Sequence, residues 1–209
     1  MAVTGLRSKI VKSVSLSSAQ FGVKFGLRLV STVVLTRLLA PEIYGVFAIV
    51  LVYQYLLEMA SDLGIRSLVI TKEDKLDDDF LRTCWTVSIL RGLVIAGGTG
   101  AIALVILVLQ GAGVFAPQSA YNAPVLPWAI FALGGVSLIL SAQSINVFVS
   151  ERDMVFGQVT LAIILSSVLG LVVTIGTAMI WPTVWALVIG MVAQTLFQAV
   201  SYTHLTLPT

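Results

Sequence analysis

Five charged side chains, Lys24, Arg28, Glu58, Asp62 and Arg91, sit inside apolar stretches of helix-spanning length. A charge in hydrocarbon costs about 3 kcal/mol on insertion scales, so each must face a cavity, a partner or the headgroups. Gln20, Lys24, Arg28 and Ser31 recur at three- or four-residue spacing, which stacks them as one polar stripe beside Phe21, Phe25, Leu29 and Val33. Gln54, Glu58, Asp62 and Arg66 repeat every four residues and predict a second stripe. Counted back from the turn at Ala40 and Pro41, Lys24 and Glu58 reach a similar depth, roughly 20 Å, and can pair. Arg91 adds a third cation, near mid-membrane by the same counting. Three arrangements fit: a water-filled cationic cavity suited to an anion, a set of structural ion pairs, or a first helix lying amphipathically in the interface. Spacing alone leaves all three open.

Other chemistry finds little support. Cys84 is the single cysteine, which excludes an intramolecular disulfide and a thiolate metal cluster. Residues 72–79, KEDKLDDD, read as a solvated loop and lack the spacing of a calcium loop. Gly97, Gly98, Gly100, Gly134 and Gly135 read as helix-packing notches, since no GxxxxGK[ST] occurs. With His204 as the only histidine, there is no Ser/His/Asp set. The expectation is a protein without catalytic residues, metal or cofactor, and not an enzyme. Twelve Lys plus Arg against ten Asp plus Glu is too even a balance to argue for nucleic acid.

The elements that must carry the charges are membrane helices. The chain is 58% apolar and 11% charged, far from the roughly 25% charged composition of a soluble domain. Residues 92–150 hold no Lys, Arg, Asp or Glu, and none follows Asp153. A bilayer core of roughly 30 Å takes about 20 helical residues, and six segments fit: 15–39, 44–70, 80–109, 125–149, 154–180 and 184–200. The predicted fold class is an all-α integral membrane bundle of about six transmembrane helices. Turn chemistry separates them at residues 40–42, 71–79, 111–127, 151–153 and 181–183.

Basic residues set the orientation. Arg7, Lys9 and Lys12 precede the first segment, Arg66, Lys72, Lys75 and Arg82 flank the second loop, and Arg152 lies in the fourth, whereas Arg37 alone lies near the first. The positive-inside rule puts the N-terminus and the even loops in the cytoplasm and Trp128, Trp181 and Trp185 at the outer interface. Lys24 and Arg28 interrupt the first apolar region, and no small-residue cleavage site follows, so that segment is expected to be retained. Residues 1–14 then form a basic cytoplasmic N-terminus and 15–199 a transmembrane lobe. Residues 200–209, VSYTHLTLPT, resemble the translation of a sequencing adapter, so they are expected to be foreign and the natural chain to continue past residue 199.

Five stretches, in order, resemble one family. Residues 35–45, LTRLLAPEIYG, look like its first-loop signature, and residues 61–65, SDLGI, like the end of its second helix. Residues 80–92, FLRTCWTVSILRG, are similar to its third-helix entry, while ERDMVFG (151–157) and PTVWALVIG (182–190) match its fourth loop and sixth helix. The family is that of the Wzx-type oligosaccharide flippases, in the polysaccharide transporter group of the MOP superfamily, and the likeness covers residues 10–199. It implies one lobe of a 12–14-helix transporter that turns a polyprenyl-diphosphate-linked oligosaccharide across the bacterial inner membrane for exopolysaccharide or O-antigen (lipopolysaccharide) biosynthesis. The implied partners are that lipid-linked substrate, membrane lipid, a glycan polymerase and chain-length proteins. Lys24, Arg28 and Arg91 are the positions able to meet the diphosphate, and Arg37, Glu58, Asp62 and Arg66 are candidates for structural or gating ion pairs. A MATE-type multidrug exporter is the main alternative, but a cavity for cationic drugs should be dominated by carboxylates. A membrane-embedded glycan polymerase or transferase is a second alternative, and it needs a large outer loop or clustered catalytic groups.

Overall fold

The computed structural model describes residues 2–72, 77–143, 149 and 156–205. Among these there is no strand, and seven α-helices follow one another: α1 (Ala2–Leu38), α2 (Pro41–Ala60), α3 (Ile65–Thr71), α4 (Asp78–Gly111), α5 (Leu126–Ser141), α6 (Phe156–Ile180) and α7 (Val184–Leu205). A single 3₁₀ turn, Ala120–Asn122, precedes α5. The all-helical membrane class is therefore correct. The basic residues Arg7, Lys9 and Lys12 lie on the same continuous helix as Lys24 and Arg28. The fourth-loop residues 151–153, part of the acidic run at 73–76, and residues 206–209 of the 200–209 tail lie outside the described residues, as does most of the fourth segment beyond Gln143.

Proline marks the helix starts. Pro41 opens α2 after an extended Ala40, and Pro127 sits in the first turn of α5, positions where its missing N–H costs nothing. The expected second segment at 44–70 is corrected: α2 stops at Ala60, and α3 is a separate short helix. Gly64, at φ 64°, takes the left-handed conformation immediately before α3, and its N–H donates to Asp62 Oδ1 at 3.0 Å. Asp62 and Arg66 consequently do not continue the face that carries Gln54 and Glu58.

Among the described residues, four helical stretches are long and apolar enough to cross a membrane: α2, α4, residues Thr160–Ile180 of α6 and Val184–Tyr202 of α7. α5 is apolar but shorter. α1 falls outside the set because of the charges and hydroxyls along its stripe, yet it packs on α6 as a member of the bundle. Packing fixes an up-and-down order. Val46 and Val50 of early α2, Ile106 of late α4, Leu126 and Ile130 of early α5 and Val184 and Val188 of early α7 share one core at the first end. There, Leu35 of late α1 and Leu39 just beyond it pack with Ala178 of late α6 and Ala186 and Leu187 of α7. Trp128, Trp181 and Trp185 are exposed at this same end.

Small residues set the closest approaches, as in membrane bundles, where lipid gives helices no hydrophobic reason to associate. Between α4 and α5, an added Cβ at Gly134 would collide with buried Thr99, and one at Gly92 would lie 2.5 Å from Ser141 Cβ. Between α6 and α7, Gly190 faces Thr174, and Gly170 faces Gln194. Of the notches expected from sequence, Gly134 and Gly98 are close approaches, whereas Gly97 and Gly135 face open space.

Candidate functional site: a cationic groove and a polar inner cavity

α1 touches the bundle firmly at its C-terminal end, and between that contact and its N-terminal half a groove of about 620 Å³ opens against α2, α6 and α7. The polar stripe of α1 supplies Lys24, Arg28 and Ser31 to it, and Phe21 and Phe25 flank them. Across the groove stand Ser167 and Thr174 of α6 and Gln194 of α7. Among the described residues no carboxylate lines this space. Arg28 lies ten residues before Leu38, about 15 Å from the C-terminal end of α1 and half the thickness of a 30 Å bilayer core, and Lys24 lies about 21 Å from it. At the opposite end of the groove Thr160 Oγ1 donates to Gln20 Oε1 at 3.2 Å and ties α6 to α1.

A second cavity, of about 490 Å³, lies toward the opposite end of the bundle. Gln20, Glu58, Asp62, Arg66, Arg91 and Ser137 are among its lining residues. Here the carboxylate of Glu58 accepts from Gln54 Nε2 at 2.8 Å and from Ser137 Oγ at 3.3 Å, and Gln54 Nε2 also donates to Ser137 Oγ. Gln54 is buried, and its Oε1 takes no partner among the described residues. The guanidinium of Arg91 donates through Nη2 to the carbonyl of Glu58 at 2.9 Å and through Nε to Ser61 Oγ at 3.3 Å. A cation at these last carbonyls caps α2 and complements its dipole.

The seven residues singled out from sequence are thus divided. Lys24 and Arg28 share the groove, while Arg91 lines the other cavity and is engaged by α2. The charge-free part of α4 runs from Gly92 to Gly111, about 30 Å, and Arg91 adjoins its N-terminal end. Lys24 and Glu58 line different cavities and form no ion pair among the described residues, so the expected pairing is corrected. Asp62 shapes the α2–α3 turn, exposed Arg66 sits on α3 at the second cavity, and Arg37 occupies the last turn of α1, where a cation also suits the helix dipole.

Sequence reasoning missed the uncharged wall. Thr160, Ser167 and Thr174 recur every seven residues on α6, and Gly190 and Gln194 stand four apart on α7, a helical stripe as regular as the one on α1. It was legible as periodicity, but without a charge nothing distinguished it from packing. Ser137, the partner of Glu58, carried no such signal.

The profile of the polysaccharide biosynthesis protein family matches residues 34–206. Comparison with curated proteins and with solved structures returns no significant match.

Proposed function

The chain belongs to the polysaccharide biosynthesis protein family, and from that premise we propose that it moves a polyprenyl-diphosphate-linked oligosaccharide from the inner to the outer leaflet of the bacterial plasma membrane. The observation that carries this reading is the groove: two cations at mid-depth, no carboxylate beside them among the described residues, and a wall of neutral hydrogen-bonding groups opposite. A diphosphate entering the hydrocarbon needs its charge met there, because an isolated desolvated anion is far more costly than one paired with cations. Arg28 suits the role through its planar donor fork, and Lys24, about one turn nearer the N-terminus of α1, supplies a second, more mobile donor.

The ends of the groove support a direction. The outer end is sealed by the apolar cluster of Leu35, Leu39, Ala178, Ala186 and Leu187, whereas the described polar link at the inner end is the Thr160–Gln20 hydrogen bond. Loading from the cytoplasmic leaflet, through the polar inner cavity, asks for the smaller rearrangement. Alternating access around a midplane site is the general solution for such transporters. In this reading the N-terminus is cytoplasmic, the membrane is the inner one, and the glycan polymerase and chain-length proteins act on the exported product.

Cells lacking the gene test the proposal. Arg28→Glu in the full-length protein should abolish glycan export while the protein inserts and accumulates normally, and Arg28→Gln should weaken it by about tenfold or more, the loss of one charge-assisted hydrogen bond. Full export by a stably accumulating Arg28→Glu protein would remove Arg28 from the substrate path.

A further inference from the structure

The wall facing Lys24 and Arg28 is held in register at both ends. Thr160 bonds Gln20 at the inner end, and Leu35 packs with Ala178 and Ala186 at the outer end. Between these anchors equal helix rise brings equal depths opposite each other. Gln194 lies ten residues past the start of α7, as Arg28 lies ten residues before the end of α1, so both stand about 15 Å from the outer end. Ser167, thirteen residues before the end of α6, comes level with Lys24 in the same way, at about 20 Å.

The hydroxyls of this wall are engaged with their own helix: Thr174 Oγ1 donates to the Gly170 carbonyl and Ser167 Oγ to that of Ile163, both at 2.7 Å. Gln194 differs. One of its amide hydrogens reaches Ser167 Oγ at a long 3.4 Å, and among the described residues its carbonyl oxygen and other N–H take no protein partner. Its position depends on Gly170, where an added Cβ would meet Gln194 Cβ at 2.6 Å and Oε1 at 3.1 Å. A carboxamide offers a donor and an acceptor in one plane, which matches a sugar hydroxyl or acetamido group and gives a diphosphate only half of what it offers.

We propose that Gln194 is the specificity-determining residue of the groove, hydrogen-bonding the neutral, hydroxyl- or acetamido-bearing sugar next to the diphosphate that Arg28 holds. The inference rests on the groove being the diphosphate site. A position that hydrogen-bonds a substrate group discriminates against ligands lacking it, because its own polar atoms are then left unmet. Specificity for the first sugar thus comes from α7, and affinity for the anion from α1.

Binding to the purified full-length protein separates the two parts, with polyprenyl diphosphate and polyprenyl-diphosphate-linked N-acetylhexosamine as probes. The wild type should bind the sugar-bearing probe about fivefold more tightly, and Gln194→Leu should erase that margin while leaving the bare diphosphate unchanged. Ser167→Ala, which frees the amide, should narrow the margin in the same direction. Gln194→Glu sets a carboxylate level with Arg28 and should weaken both probes. Unaltered thermal unfolding of Gln194→Leu keeps these results interpretable, and a misfolded Leu variant leaves the margin in Ser167→Ala to decide. An unchanged margin in Gln194→Leu, or equal loss of both probes, overturns the inference but not the groove. A wild type that binds neither probe overturns both.

Discussion

Arg91 and Arg28 are both arginines set in apolar helix, yet their surroundings give them different work. Arg91 is spent on α2, where its guanidinium meets the Glu58 carbonyl and Ser61 Oγ. Arg91→Gln is expected to lower stability by about 1.5–3 kcal/mol, the range for a hydrogen bond to a charged group, with Arg91→Lys intermediate. Thermal unfolding in detergent reads this, and an unchanged midpoint combined with lost export would instead make Arg91 a substrate contact. Lys24 and Glu58 give a second expectation. They line separate cavities, so the swap Lys24→Glu with Glu58→Lys should not rescue the single variants. It should instead add the two defects, since Glu58→Lys breaks the bonds from Gln54 and Ser137. Recovery of export in the double variant would restore the ion pair.

At the scale of the helices, the closest contacts rest on glycine. An added Cβ at Gly190 would come 2.8 Å from Thr174 Cβ, closer than packed carbons approach, so Gly190→Ala should part α6 from α7 and cost about 1–3 kcal/mol in unfolding measurements. Gly64→Ala should cost about 1–2 kcal/mol through its left-handed backbone alone, since open space surrounds it. These positions show what the sequence could and could not carry. Charge-free runs and prolines at 41 and 127 announced most of the helices, because hydrocarbon admits little else. The break after Ala60 was missed because the four-residue spacing of Gln54, Glu58, Asp62 and Arg66 mimics one helix, while the deciding signal was Asp62 two residues before Gly64, a turn. The groove was half legible: Lys24 and Arg28 stood out by their charge, but the wall that faces them is set by packing between helices more than a hundred residues apart.

For the whole molecule, the helix order gathers Trp128, Trp181 and Trp185 at one end and leaves Asp77, Asp78, Asp79 and Arg82 near the start of α4 at the other. The orientation we propose makes the tryptophan end extracytoplasmic. In a Cys84→Ala background, Ser119→Cys should react in intact cells with an impermeant thiol reagent, and Asp79→Cys should react only after lysis; the reverse pattern would invert the bundle. The account turns on the claim that the groove between α1 and the neutral wall carries an anionic lipid-linked glycan through the membrane. Flipping of a fluorescent polyprenyl-diphosphate-linked saccharide by the full-length protein in liposomes measures that step without the rest of the export machinery. The prediction is wild-type flipping that Arg28→Glu abolishes at an unchanged unfolding midpoint; flipping by Arg28→Glu at the wild-type rate, or none by the wild type, would contradict it.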